Sequence, residues 1–243
     1  MNDKMSLIDT HFHLDKYQNH SSLYILMNKS RQYTLCVTCL PGIFLSCKRL
    51  YPETKYVKFA LGVHPKEIMD PKKCVYEFDS CLNQAKYIGE IGLDYSHASP
   101  SRDAQLYVFR HIIKRQAETN MLATIHVKKA EEDLITVLSE YPSSKRIIHW
   151  FSGNKSQMAS LVNQGCYFSI NSSMAQSEVG QRRIAMIPKD RILIESDGPY
   201  SKVDGERYTP EKLADLYRAV GHVLHVNNLE EIVYRNFLAI LSQ

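Results

Sequence analysis

Six residues of the types that bind divalent cations stand at or just beyond the ends of short apolar runs. Asp9-Thr-His-Phe-His13 closes the first run, and its histidines, His11 and His13, lie two residues apart. Side chains alternate between faces in an extended segment, so this spacing puts both rings on one side. Two neutral imidazoles side by side make half of a metal site. Alone, an H-x-H pair is weak, because histidines recur at that spacing by chance. Glu90 follows Ile88-Gly89, His126 ends Ala-Thr-Ile-His, His149 ends Arg-Ile-Ile-His, and Asp197 follows Ile-Leu-Ile-Glu-Ser. Any one of these could be a separately satisfied polar residue. Together, five run ends each delivering a ligand type argue for one shared site. Imidazoles mixed with carboxylates suit Mg²⁺, Mn²⁺ or Zn²⁺, and the residue types do not choose among them.

The elements that must carry these residues are short. Leu7–Asp9, Leu35–Cys39, Phe59–Gly62, Tyr87–Gly92, Ala123–His126, Ile147–His149, Tyr167–Ile170 and Ile192–Glu195 are rich in β-branched or aromatic residues and too short for helices. Between them lie helical patterns. Arg102–Thr119 sets Leu106, Phe109, Ile112, Ile113 and Ala117 on one face. Glu131–Ser139 stops before Tyr141-Pro142, Ser156–Asn163 ends near Gly165, Pro210 opens a helix over Glu211–Val220, and Leu229–Leu241 follows. Strand–helix alternation repeated eight times predicts a parallel sheet closed as a (β/α)8 TIM barrel, a fold of about 250 residues whose active sites form at the C-terminal strand ends. The chain has 243 residues. A doubly wound open sheet is the alternative architecture. No linker-like tract divides the sequence, so residues 1–243 are expected to form one domain.

Composition excludes several classes. Hydrophobic residues make up 44% and charged residues 23%, ordinary for a globular protein. No apolar run approaches the ~18–20 residues of a membrane span. Met1–Ser6 is polar and lacks a signal-peptide core, which predicts a cytoplasmic protein. A formal net charge of +4 is too mild to imply nucleic-acid binding by itself. The six cysteines are scattered, without a disulfide-like framework. Cys36 and Cys39 form a C-x-x-C pair, but within a strand-like segment and with no second thiol pair. They are expected to be small buried core residues rather than a redox or zinc motif.

The motifs resemble those of the TatD-like DNases, metal-dependent hydrolases of the amidohydrolase-like barrel superfamily. Asp9-Thr-His-Phe-His-Leu-Asp15, Gly62-Val-His-Pro65, Gly89-Glu-Ile-Gly-Leu-Asp-Tyr95, His149-Trp-Phe-Ser-Gly153, Glu195-Ser-Asp-Gly-Pro-Tyr200 and Asn236-Phe237 occur in the family's order over nearly the whole chain. The resemblance implies two divalent ions, with His11, His13 and Asp197 on one, His126 and His149 on the other, and Glu90 bridging. It implies an activated water that attacks phosphorus, Asp197 as its proton acceptor, and His64 on a phosphate oxygen or the leaving group. The implied activity is a phosphodiesterase, most simply a 3′–5′ DNA exonuclease acting on single-stranded or frayed ends.

Several positions depart from the family pattern. Val127-Lys128 replaces a small polar residue and an arginine, and a lysine grips phosphate as a point charge where arginine would be bidentate. Trp150, the single tryptophan, replaces a cysteine; it could stack on a base or pack in the core. Lys128 and Arg207 are the candidate substrate contacts beside His64, with Lys129 and Lys202 on rim loops; Tyr95 and His97 could also line a cleft. Two rival readings remain: hydrolysis of a small molecule or an aminoacyl-tRNA ester, and a largely non-catalytic subunit with protein partners in an anti-phage defence assembly. The complete ligand set argues against the second.

Overall fold

All eight expected runs are strands in the computed structural model of the protein, which describes residues 6–203 and 205–243. They are Ile8–Phe12 (β1), Tyr33–Cys36 (β2), Val57–Phe59 (β3) with Leu61–Val63 (β4), Tyr87–Asp94 (β5), Leu122–Lys128 (β6), Arg146–His149 (β7), Tyr167–Ile170 (β8) and Ile192–Ile194 (β9). β3 and β4 are one stave interrupted at Ala60. The ladders run β1-β2-β3 and β4-β5-β6-β7-β8-β9, with every pair parallel. Backbone bonds join them into a ring. The Ala60 amide donates to Cys36 O (2.9 Å), the Thr38 amide to Gly89 O (3.0 Å), and the Asp197 amide to His11 O (2.8 Å). The Thr10 hydroxyl donates to Ile194 O (3.0 Å). The protein is thus a (β/α)8 TIM barrel, not an open sheet, and parallel strands bring every C-terminal end to one rim.

Helices cover the outside: His20–Lys29 (α1), Pro41–Leu50 (α2), Pro71–Leu82 (α3), Arg102–Thr119 (α4), Glu131–Glu140 (α5), Lys155–Asn163 (α6), Ser172–Gln176 (α7), Glu178–Ile184 (α8), Leu213–Leu224 (α9) and Leu229–Ser242 (α10). The expected start at Glu211 needs correction. Pro210–Lys212 is a 3-10 turn, the Leu213 amide bonds back to Pro210 O, and α9 begins at Leu213 and runs past Val220 to Leu224. Proline fixes φ at the start but leaves the first turn free to tighten. Gly165, at φ +84°, follows the last turn of α6 as expected of a glycine cap.

Two long-range ties seat the last helices on the barrel. Asn236 Nδ2 donates to Lys189 O and Ile192 O, both at 2.8 Å, which fixes α10 to the start of β9. The Tyr217 hydroxyl donates to Ile8 O (2.9 Å) and accepts from the Ile8 amide (3.1 Å), fixing α9 to β1. The Asn236-Phe237 motif therefore has a structural task. A short hairpin, Lys202–Val203 (β10) with Glu206–Arg207 (β11), lies between β9 and α9. No helix among the described residues is long and apolar enough to cross a membrane. The reading of Met1–Ser6 falls, apart from Ser6, outside the described residues.

Between β4 and β5 the backbones approach too closely for any side chain. A Cβ built on Gly62 would lie 1.8 Å from Thr38 O and 2.4 Å from Glu90 N, on the hydrogen bond that the Glu90 amide makes to Thr38 O. Gly42, in the first turn of α2, has nothing within 4 Å. In urea denaturation, Gly62→Ala should cost about 3 kcal/mol or more by overpacking against backbone, whereas Gly42→Ala should gain a few tenths up to about 1 kcal/mol. Equal effects at both positions would show that the close approach is not what constrains Gly62.

Candidate functional site

The strands deliver all six ligand-type residues to one point, though Glu90 does so from the middle of β5, which runs on to Asp94, and not from a strand end as expected. His11 and His13 come from the end of β1, Glu90 from β5, His126 from β6, His149 from β7, and Asp197 from three residues past β9. The carboxylate of Glu90, 2% exposed, lies at the centre. Its Oε2 faces His13 Nε2 (3.3 Å) and His11 Nε2 (3.5 Å). Its Oε1 faces His149 Nε2 (2.9 Å), His126 Nδ1 (3.1 Å) and His64 Nε2 (3.5 Å). Asp197 Oδ1 lies 3.5 Å from His13 Nε2 and 3.7 Å from His11 Nε2. His64, which follows β4, thus also joins the cluster.

Nitrogens face nitrogens across the site. His11 Nε2 and His13 Nε2 are 3.2 Å apart, and His126 Nδ1 and His149 Nε2 are 3.1 Å apart. Two rings are hydrogen-bonded from behind through their other nitrogen, and a third faces a carboxylate there. His11 Nδ1 meets the Thr124 hydroxyl at 2.8 Å, His126 Nε2 meets Asp94 Oδ2 at 3.1 Å, and His149 Nδ1 faces Glu195 Oε1 at 3.5 Å. A proton on each rear nitrogen leaves a lone pair turned inward. Converging lone pairs and carboxylates fit a cation. Groups that could hold one are His11-His13-Asp197, His11-Glu90-His149, His64-Glu90-His126 and His13-Cys39-Glu90.

The electrostatics tell the same story. Burial alone would raise Glu90, but His64, His149 and His11 outweigh it and hold the carboxyl well below its usual range. Burial opposes charge on His13, yet Asp197, Cys39 and Glu90 hold it well above the ordinary imidazole value. His149 is likewise raised against burial, by Glu195 and Glu90, and His126 by Asp94 and Glu90. Only His11 among these four is lowered, by burial and by His149. In a metal-free site protons supply the positive charge that the carboxylates demand, and a divalent ion would replace them.

The cluster forms the floor of a cavity of about 440 Å³. Lys16, Lys66 and Lys128 bring cations to its wall, and Val127, Trp150 and Tyr200 bring apolar surface. Trp150, at φ +41°, is half-buried beside His149, and the Tyr200 ring stands edge-on to His13 at 5.1 Å. Arg207 lies outside this lining. Its guanidinium stacks on Tyr17 (4.2 Å) and donates to Lys16 O (2.8 Å), so it braces the segment that carries Lys16. Lys129, Lys202 and His97 are exposed and not among the cavity's lining, and the Tyr95 hydroxyl is engaged with Asp133 Oδ2 at 2.7 Å. Sequence reasoning did not single out Asp94, Glu195, Thr124, Lys16 or Lys66, and it expected Cys39 to be a small core residue, whereas that residue is buried in the cavity lining. Asp94 and Glu195 sit inside quoted motifs, which was the available signal. Asp94 also meets Lys66 Nζ at 3.0 Å, and His126, Ser96 and Lys66 outweigh burial to hold its carboxyl well below the usual range.

Comparison with known proteins decides the family. The model of the TatD-related DNases matches residues 8–242. This chain belongs to the TatD-related DNase family. An uncharacterized metal-dependent hydrolase of Escherichia coli strain K12, YcfH, is 29% identical, with 96% of this chain and 94% of that protein covered. A mouse protein named "Putative deoxyribonuclease TATDN3" is 26% identical, with 96% of this chain and 87% of that protein covered. The crystal structure of the TatD homolog YjjV from Escherichia coli K12 superposes with a TM-score of 0.85 at 18% identity, over 96% of this chain and 97% of that one. The last match shows a shared fold.

Metal binding should be legible in stability. The raised values of His13, His126 and His149 stabilise the metal-free fold fully below the ordinary imidazole value of about 6.5, and that contribution is lost as pH rises through the elevated values. His11 works in the opposite direction but is one against three. Chelator-treated protein should therefore lose Tm as pH rises above about 6.5. Added divalent ion needs neutral imidazoles and should stabilise most at the alkaline end. At a hundredfold excess over Kd it should raise Tm by roughly 5–10 °C. Thermal scans with Mg²⁺, Mn²⁺ and Zn²⁺ check this; no rise with any of them would reject a cation site.

Proposed function

We propose that this family member, a metal-dependent hydrolase, cleaves phosphodiester bonds of DNA, with residues 1–243 acting as one hydrolase domain. The convergence of imidazoles and carboxylates on one buried point carries the reading, since His11, His13, His126, His149, Glu90 and Asp197 gather there the donor types that bind divalent cations. The division of Glu90 supports two ions: Oε2 serves His11 and His13, on the side of Asp197, and Oε1 serves His126 and His149. His11, His13 and Asp197 would hold one ion, His126 and His149 the other, and Glu90 both. Two ions of the Mg²⁺, Mn²⁺ or Zn²⁺ class would supply Lewis acidity to the phosphate and lower the pKa of a water.

The remaining chemistry falls to the chain. Asp197, at the wall of the cavity, is placed to orient the attacking water and take its proton on a carboxylate oxygen. His64 Nδ1 accepts from the Lys66 amide at 3.2 Å, so a neutral ring carries its proton on Nε2, the nitrogen turned into the site. That N–H can donate to a non-bridging phosphate oxygen or to the leaving group. Lys128, with Lys16 and Lys66, offsets the phosphodiester charge at the mouth. Arg207 acts from further out, through its hold on Lys16. A cavity of about 440 Å³ is on the scale of a small-ligand site. That size favours a strand end over the flank of a duplex, consistent with 3′–5′ exonuclease action on single-stranded or frayed DNA.

Release of nucleotides from end-labelled single-stranded DNA tests the proposal. Glu90→Ala and Asp197→Asn should each lower kcat by roughly a thousandfold or more. Lys128→Ala should raise KM, leave kcat nearly unchanged and reduce the salt slope of binding by about one. Release from a 3′ label before a 5′ label would establish polarity. Metal-dependent release that survives Glu90→Ala would place the chemistry elsewhere. No release from protein that still binds metal would transfer the assignment to an ester substrate or a non-catalytic subunit.

A further inference from the structure

The C-x-x-C spacing joins two cysteines with different surroundings. Cys36, 1% exposed, packs in the main apolar core. Cys39 is buried too, but it lies in the wall of the metal-type cavity rather than in that core. Its Sγ, a ring nitrogen of His13 and a carboxylate oxygen of Glu90 lie within 4.8 Å of one another. His13 is 2% exposed, and its Nδ1 has no hydrogen-bond partner among the described residues.

The backbone holds the thiol there. Thr38 donates its amide to Gly89 O and accepts the Glu90 amide, both at 3.0 Å, while its hydroxyl donates to Ala60 O at 2.8 Å. Cys39 O accepts the His64 amide at 2.9 Å. The residue is thus tied, through Thr38 and its own carbonyl, to β5 and to the residues flanking β4 at the level of Glu90. Nitrogen, oxygen and sulfur donors within 4.8 Å of one another can reach a common ion. Imidazole and carboxylate alone accept magnesium, manganese or zinc. A thiolate adds preference for the softer ion.

We propose that Cys39 is a thiolate ligand for a zinc-class divalent ion that it shares with His13 and Glu90, and that this thiol biases the site toward zinc over magnesium and manganese. The inference rests on the metal-site reading of His13 and Glu90. Binding exchanges the thiol proton, which leaves to solvent, for the metal–sulfur bond, with no change of oxidation state.

Cobalt(II), titrated into the metal-free full chain, reads the ligand set directly. A near-ultraviolet thiolate-to-cobalt charge-transfer band should accompany the visible cobalt bands. Cys39→Ser, which retains the five other buried cysteines, should lose the ultraviolet band and keep the visible ones. In competition assays the same substitution should weaken zinc by roughly ten- to a hundredfold and leave manganese nearly unchanged; Cys39→Ala should behave alike. Wild-type protein that binds cobalt without a charge-transfer band overturns this inference while leaving the metal site standing. A band that persists in Cys39→Ser overturns it equally. No cobalt binding at all would defeat both readings.

Discussion

An ionised carboxylate at the mouth of an apolar barrel must be compensated, and Glu90 imposes that requirement on its neighbours. It is 2% exposed, and its depressed pKa shows that the surrounding imidazoles more than offset burial. A buried charge without partners would be strongly destabilising. Here five histidines from four staves turn a nitrogen toward it. The barrel must close for that to happen. The bonds joining β2 to β5 through Thr38, and β1 to the segment after β9, are therefore part of the site as much as part of the scaffold.

Behind the imidazoles stands a further set of partners. Thr124 from β6, Asp94 from the end of β5 and Glu195 just past β9 each address the rear nitrogen of one ring. They fix which nitrogen is presented inward before any ion arrives, and a ligand oriented in advance loses little entropy on binding. Asp9 does related work on the backbone. Its Oδ1 accepts the His11 and Ser196 amides at 3.2 and 2.9 Å and so ties together the two segments that carry His11 and Asp197. Burial pushes its carboxyl up to about 7, against the opposing effect of those bonds.

The rim gathers lysines where the family pattern has an arginine. Lys128 lacks the fork of an arginine, but Lys16 and Lys66 approach the same cavity from the β1 and β4 sides. Three point charges spread around a mouth would, on the proposed function, neutralise a phosphodiester without fixing its orientation, which would leave that task to His64 and the floor. Arg207 keeps its planar guanidinium on Tyr17 and the Lys16 carbonyl, where shape matters more than charge.

Residue types and order alone determined the barrel and the gathering of ligands. Eight β-rich runs, five of them ending in or near a ligand-type residue, have one compact parallel arrangement, and in it the ends must meet. Periodicity also placed α4, because its eighteen residues repeat an apolar face several times. It missed α1, α2 and α3, which are ten to twelve residues long, and the still shorter α7 and α8. α5 and α6 are as short, at ten and nine residues, but the stops at Tyr141-Pro142 and Gly165 marked their ends. The start of α9 was misplaced because proline marks where a helix-like turn begins without dictating whether that turn is α or 3-10. Which groups stand behind the ligands, and which nitrogen each ring presents, was decided by contacts between residues up to 113 positions apart. The two cysteines of one C-x-x-C look alike in sequence; three residues of backbone, bound to different strands, send one into the core and the other to the metal-type cavity. Such choices depend on the relative placement of several strands at the scale of ångströms, and that placement exists only once the ring has closed.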